Sequence, residues 1–168
     1  MYMNYMFDNY NEDYRNNRND ELITLDEAIN LIEKSVADEQ EDELFYNNLI
    51  NIAKEEKDKT IIATIRDDEK KHNNILKELY YQFTGNNIPT NNTSTAIPNL
   101  NYKDSLEKAL FGELDAIKKY RKILSKMPNG DSYTLLMAIM TDEIRHACKY
   151  NFLIQKARNI SNWDALIL

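Results

Sequence analysis

Two short segments of the chain place a carboxylate and an imidazole three residues apart. Glu69 precedes His72 in DDEKKH, and Glu143 precedes His146 in TDEIRH. Positions three apart lie on one face of an α-helix, so each pair would project toward a single point. One such pair would indicate only a charged helix face, but these are the two histidines of the whole chain. The repetition indicates a metal site, because carboxylate oxygen and imidazole nitrogen together suit a transition-metal ion.

The two segments belong to an internal repeat with an offset of 74 positions, which relates Glu69 to Glu143 and His72 to His146. The same offset matches further pairs of identical residues: Glu39 with Glu113, Tyr46 with Tyr120, Glu33 with Glu107, Asp68 with Asp142 and Ile65 with Ile139. This pattern predicts a duplicated helical hairpin. Packing the halves about a pseudo-twofold axis would bring four acids and two histidines to the middle of the protein: Glu39, Glu69, His72, Glu113, Glu143 and His146.

Glu39 and Glu113 lie on the apolar stripes of their predicted helices. A buried carboxylate without a partner costs several kcal/mol, so four together must be protonated, paired with cations or bound to metal. Two divalent ions would neutralise four carboxylates. Oxygen-rich ligation with one imidazole per ion suits Fe or Mn better than structural Zn, although Zn is a possible occupant. We therefore predict a dimetal centre held by the six residues.

Composition favours an all-α protein of one domain. The chain has 168 residues, 42% apolar and 29% charged, with only three glycines and three prolines. Its net charge of −7 and the lack of a basic cluster argue against nucleic-acid and anionic-membrane partners. No apolar stretch is long enough to cross a bilayer, and the N-terminus has no secretory pattern, so we expect a cytoplasmic protein. The single cysteine, Cys148, excludes an internal disulfide within this sequence.

Four helices are predicted to position the six residues. The first follows a capping box at Thr24 and Glu27, and the second stops at Gly85. A crossover rich in Asn, Thr and Pro leads to a third helix after Asp104, and the fourth spans about residues 132–158. Two hairpins joined by one long crossover make a four-helix bundle of ferritin-like topology. We assign residues 21–168 to the bundle and residues 1–20 to a flexible, Asn- and Tyr-rich arm.

The segments EQEDELFY and GELDAIKKY, with the two DE-x-x-H segments, resemble the rubrerythrin and bacterioferritin kind of ferritin-like protein over about residues 25–158. The resemblance implies a non-haem di-iron centre that reacts with hydrogen peroxide or dioxygen. It implies terminal ligands at Glu39 and Glu113 and bridging ligands at Glu69 and Glu143. One cysteine cannot build the four-cysteine iron site of a rubredoxin-like domain, so electrons are expected from an external donor protein.

Alternative functions remain open at this stage. They are iron oxidation and storage, a di-manganese catalase-like activity, and a structural coat-type protein that retains a metal site. The long crossover could exchange helices with a neighbour, so we predict a homodimer.

The resemblance also implies a second carboxylate one turn after Glu113, where this chain has Ala116. On the first helix, Asp42 and Glu43 follow Glu39 by three and four positions, as alternative ligands or as solvent-facing acids.

Four further residues are predicted to support the ligands. Tyr46 and Tyr120 follow Glu39 and Glu113 by two helical turns, and each hydroxyl could donate to a ligand carboxylate of the other half or only pack in the core. Asp68 and Asp142 directly precede ligand glutamates. We predict that Asp68 accepts from His146 and Asp142 from His72, the alternatives being bonds within one helix or exposure to solvent.

Overall fold

A computed structural model describes residues 23–88 and 100–164, with side chains up to residue 158. Four helices follow in chain order: α1 Leu25–Ile52, α2 Glu56–Thr84, α3 Tyr102–Leu124 and α4 Asp131–Asp164. Helix α1 packs mainly on α2 and α3 mainly on α4, while α1–α3 and α2–α4 contacts close the bundle. The described chain is an all-α four-helix bundle of ferritin-like fold, as predicted. The predicted arm at residues 1–20 and much of the crossover lie outside the described residues.

Helix ends follow local capping chemistry. The Thr24 backbone N–H donates to Glu27 at 2.6 Å, and the Glu27 backbone N–H donates to the Thr24 hydroxyl at 3.2 Å. This capping box starts α1 where predicted. Gly85 ends α2 with a φ of 69°, a left-handed conformation that glycine adopts without steric cost.

Two helices extend beyond their predicted limits. Helix α3 starts at Tyr102, because the Asn101 side chain accepts the Asp104 backbone N–H at 2.9 Å. The sequence prediction had placed this cap at Asp104. Helix α4 continues to Asp164, six residues past the predicted end at residue 158. No glycine or proline follows Arg158 in the sequence, so nothing local stops the helix there.

The interior consists of two apolar layers with a polar layer between them. One apolar layer contains residues such as Ile32, Leu76, Ile123 and Leu136. The other includes Leu49, Ile62, Leu106 and Leu153. On every helix the residues predicted to bind metal fall between the segments that build these layers. The two layers shield the polar layer from both ends of the bundle.

One end of the bundle is tied together by Asp58, which is 4% exposed in the first turn of α2. Its carboxylate accepts hydrogen bonds from Tyr102 of α3, at 3.1 Å, and from Lys156 of α4.

Replacing Asp58 with Ala leaves both donors without an acceptor, so we expect the free energy of unfolding to fall by about 1–3 kcal/mol. Urea unfolding of the metal-free protein measures this change. The control Glu56→Ala removes an 85% exposed acid from the same turn and should cost at most about 1 kcal/mol. Equal losses in the two variants would contradict the role of Asp58.

Among the described helices, none combines the length and the apolar character needed to cross a membrane.

Candidate metal centre

The polar layer contains all six residues predicted as ligands, and each helix contributes to it. Glu39 comes from α1, Glu113 from α3, and each of α2 and α4 supplies a glutamate and a histidine three residues apart. All six are between 0% and 5% exposed. Helical spacing and the packing of the two hairpins therefore bring together, at the bundle centre, six side chains of the types that can bind metal.

The six residues form two overlapping groups of four. One group contains Glu39, Glu69, His72 and Glu143, and the other contains Glu69, Glu113, Glu143 and His146. In each group, one nitrogen or oxygen atom from every residue lies within 4.8 Å of the others. Glu69 and Glu143 belong to both groups, whereas each remaining residue belongs to one. This geometry is that of two metal positions that share two carboxylates.

Several atoms of the centre lie close together without hydrogen bonds. His146 Nδ1 is 3.0 Å from Glu69 Oε1 and 3.5 Å from Glu143 Oε2, but the angles permit no hydrogen bond to either. Within the described residues, Glu39 Oε2 and Glu143 Oε1 are also buried without a hydrogen-bond partner. Buried polar atoms are normally paired, so the convergence of bare donor atoms fits metal ions between them. The residues present therefore fit a dimetal group.

In the metal-free centre, the pKa values of two glutamates are raised and those of the other two are lowered. Burial raises the pKa of Glu39 and Glu113 well above the ordinary value, and the negative charges of Glu69 and Glu143 add to the rise. Burial also opposes ionisation of Glu69 and Glu143, but the close histidine side chains outweigh it and lower their pKa values.

The pKa values of both histidines are raised. Burial alone would lower the pKa of His72, but the close carboxylates of Glu143 and Glu69 raise it to about 10. The carboxylates of Glu113, Glu143 and Glu69 likewise outweigh burial and raise the pKa of His146 to about 12. Two divalent ions would neutralise the four carboxylates when all six side chains are deprotonated.

Comparison with known proteins agrees with the geometry. The rubrerythrin family model matches residues 30–103, which include most of α1, all of α2 and three of the six residues. This part of the chain is similar to rubrerythrin. A hypothetical protein from Pyrococcus furiosus has a similar solved structure, with a TM-score of 0.67 and 21% identity over 82% of this chain and 92% of its own. That likeness shows the shared fold. A search of the curated proteins found no match.

Tyrosines from one half of the bundle donate hydrogen bonds to carboxylates of the other half. Tyr46 of α1 donates to Glu113 Oε1 at 2.8 Å, and Tyr120 of α3 donates to Glu39 Oε1. Burial, followed by the neighbouring Tyr150 and Glu113, raises the pKa of Tyr46 well above the ordinary value, so the hydroxyl keeps its proton. The contacts repeat between the halves, as the offset of 74 positions requires.

Replacing Tyr46 or Tyr120 with Phe should weaken metal binding by about 10-fold, because a buried ligand carboxylate loses the donor that orients it. Equilibrium titration of the metal-free variants with Co²⁺ measures the affinity. Tyr102→Phe is the matched control, because it removes a hydroxyl bonded to Asp58 at the end of the bundle. If Tyr46→Phe and Tyr120→Phe both bound Co²⁺ with wild-type affinity, the two tyrosines would only pack in the core.

The outer nitrogen of each histidine faces an aspartate of the opposite half. His146 Nε2 lies 3.4 Å from Asp68 Oδ2, and His72 Nε2 lies 3.3 Å from Asp142 Oδ2. Each aspartate also binds an exposed cation of its own helix: Lys71 at 2.7 Å for Asp68, and Arg145 for Asp142. These bonds turn the Nδ1 atoms toward the glutamates and fix which nitrogen is available to a metal.

Asp68→Ala and Asp142→Ala should each weaken metal binding by about 10- to 100-fold, because the histidine loses the acceptor that fixes its ring. Co²⁺ affinity is again the measurement. Asp67→Ala provides a neighbouring control, since Asp67 is half exposed and binds Arg66 of its own helix. If all three variants bound Co²⁺ equally well, the aspartates would have no part in the centre.

Four contacts near the centre were not predicted from the sequence. Buried Asn73 donates to the backbone carbonyl of Val36 at 2.8 Å and so fixes α2 to α1. The ring of Tyr150 packs 5.7 Å from that of Tyr46, with its hydroxyl buried and without a hydrogen-bond partner among the described atoms. The cations Lys71 and Arg145 complete the aspartate contacts. Only this last pair carries a sequence signal, because the two positions are also separated by 74 residues.

Proposed function

We propose that this chain is a non-haem di-iron oxidoreductase that reacts with hydrogen peroxide or dioxygen. The observation that carries the proposal is the pair of overlapping four-residue groups, each with three carboxylates and one imidazole, in the buried layer of a rubrerythrin-like bundle. When bound, two iron ions would supply two electrons for reduction of an oxygen–oxygen bond. Removal of peroxide would be the corresponding role in the cell.

The chain's own residues perform four tasks in this proposal. Glu69 and Glu143 hold both metal positions, and Glu39 and Glu113 each complete one. Tyr46 and Tyr120 orient these outer glutamates by donating hydrogen bonds. Asp68 and Asp142 set the orientation of the histidine rings. The apolar layers on either side exclude bulk water, which strengthens every charge interaction inside.

Ligand chemistry supports iron over the alternatives. Four carboxylates and two imidazoles form an oxygen-rich set, whereas structural zinc sites are usually tetrahedral with sulfur or nitrogen ligands. Manganese accepts the same set and would give a catalase-like enzyme. Metal analysis of the protein purified from its natural host distinguishes these ions. Manganese at about two ions per chain, with oxygen evolution from peroxide, would replace the iron proposal.

The partners are also part of the proposal. We propose that electrons reach the centre from a separate donor protein, because the bundle has one cysteine and cannot itself build a four-cysteine iron site. We further propose a homodimer. Light scattering tests this directly: a particle of two chains agrees with the proposal, while a cage of many chains would favour iron storage.

The decisive experiment loads the metal-free protein with Fe²⁺ without oxygen and then mixes it rapidly with hydrogen peroxide. Oxidation of both ions much faster than that of free Fe²⁺ in the same buffer is the expected result. Repeated additions of reductant and peroxide should give repeated turnover. A protein that takes up no iron, or oxidises it no faster than buffer, would contradict the enzyme and support the structural alternative.

A further inference from the structure

Helices α1 and α3 face each other across the centre in an antiparallel register. Lys119 of α3 binds Asp38 of α1 at 2.7 Å, and Lys108 lies 4.8 Å from the ring centroid of Phe45. Helices α1 and α3 therefore run in opposite directions. Midway between the two contacts, Asp42 comes opposite the α3 segment that runs from residue 112 to residue 116.

That α3 segment carries small residues on the side of α1. Helical spacing from Lys108 and Lys119, which both contact α1, places Gly112 and Ala116 on this side. Gly112 is exposed, and Ala116 is half buried against the core. A Cβ atom added to Gly112 would have no other atom within 4 Å. At these two positions α3 thus presents no large side chain toward α1.

Carboxylates line this opening from the surface inward. The Asp38 side chain is 53% exposed and Asp42 is half buried, while Glu69 at the centre is 2% exposed. Burial, and next the negative charge of Glu69, raise the pKa of Asp42 to about 7, with Lys119 opposing the rise. Asp42 therefore lies in the electrostatic field of the centre, although it belongs to neither four-residue group.

The opposite face of the bundle, between α2 and α4, has cations outside the centre. There the exposed Lys71 and Arg145 bind Asp68 and Asp142, whose carboxylates also contact the histidines. A cation approaching the histidines from that face meets these positive charges first. On the α1–α3 face, Lys119 is paired with Asp38. In the centre, the lowered pKa of Glu69 keeps its carboxylate ionised, and its unpartnered Oε1 atom attracts a cation inward.

We propose that divalent metal ions enter the centre between α1 and α3, and that Asp42 binds each ion in passage without retaining it. The inference rests on the proposed dimetal centre and assigns its entry route. Asp42 then governs how fast the centre fills. A residue that holds an ion only in passage changes the rates of entry and exit together, so the equilibrium affinity stays the same.

The test follows Co²⁺ uptake by the metal-free protein in a stopped-flow spectrometer, with equilibrium titration of each variant. Asp42→Asn removes the charge at constant size, and we expect uptake to slow by about 10-fold with unchanged stoichiometry and affinity. Glu43→Gln is the matched control, because it removes the same charge from the next residue, whose carboxylate binds Lys70 on the side of α2. Its uptake rate should stay within about twofold of wild type.

A second variant tests the opening itself. Gly112→Leu places a side chain where space is free and improves helix propensity, so it should fold normally while slowing Co²⁺ uptake. Equal uptake rates in wild type, Asp42→Asn and Gly112→Leu would overturn the entry route. Loss of equilibrium affinity in Asp42→Asn would make Asp42 a ligand and also overturn it. A wild-type protein that binds no Co²⁺ would contradict the dimetal centre, and the route with it.

Discussion

Addition of Co²⁺ to the metal-free protein is expected to raise its free energy of unfolding by about 4 kcal/mol for each ion bound, when the free ion exceeds its dissociation constant 1,000-fold. The folded chain brings four carboxylates together, whereas the unfolded chain separates them, so the ions bind mainly to the folded state. For a chain of this length the corresponding rise in Tm is about 8–16 °C for each ion. Thermal unfolding followed by circular dichroism, with and without Co²⁺, measures the shift.

Mg²⁺ at the same concentration is the control for this prediction. It prefers octahedral oxygen ligands, keeps several waters and is a poor partner for imidazole, so little stabilisation is expected. An equal rise in Tm with both ions would indicate general screening of the acidic surface, which carries a net charge of −7. No rise with Co²⁺ would mean that the six residues do not bind metal as a group.

The residues of the polar layer were predictable, because two repeating patterns in the sequence indicate them. Glu69 and His72 share a helix face, and the 74-residue offset repeats that face in the second hairpin. The offset also led to Glu39 and Glu113, whose burial on apolar stripes required a compensating partner. Chemistry, periodicity and duplication in the sequence therefore indicate the same six positions.

Helix ends were less predictable, because local signals compete. Asn101 and Asp104 are both good N-caps, and the sequence prediction chose Asp104 since Glu107 follows it at capping-box spacing. In the fold, Asn101 caps and Asp104 lies in the first turn, where its charge favours the helix N-terminus. The last turns of α4 carry no start or stop signal, and so their extent depends on packing.

Contacts between distant residues were the least accessible to sequence reasoning. The Asn73 side chain and the Val36 carbonyl are 37 positions apart, and nothing in either local sequence requires them to meet. Helical spacing predicts that Tyr150 faces inward, but its contact with Tyr46 has no counterpart in the repeat, because the corresponding position in the first half is Leu76. The duplication predicts what the halves share, while their differences appear only once the helices are packed.

Substitution of a shared glutamate should remove more metal than substitution of an unshared one. Glu143→Gln alters both four-residue groups, so we expect binding to fall from about two ions per chain to almost none. Glu113→Gln alters one group only and should leave about one ion, held by Glu39, Glu69, His72 and Glu143. Glutamine keeps the size and one oxygen of glutamate but loses the charge that a divalent ion requires. Metal analysis after dialysis gives the stoichiometry.

Glu39→Gln provides the matched comparison, because the repeat makes it the counterpart of Glu113→Gln and predicts the same loss of one ion. Circular dichroism of each metal-free variant separates lost ligands from lost fold. Peroxide reduction should stop in all three variants, since two electrons require both ions. If Glu113→Gln and Glu143→Gln retained the same number of ions, the two metal positions would not share Glu143. That result would replace the overlapping groups by two separate sites and withdraw the basis for a reaction that uses both ions together.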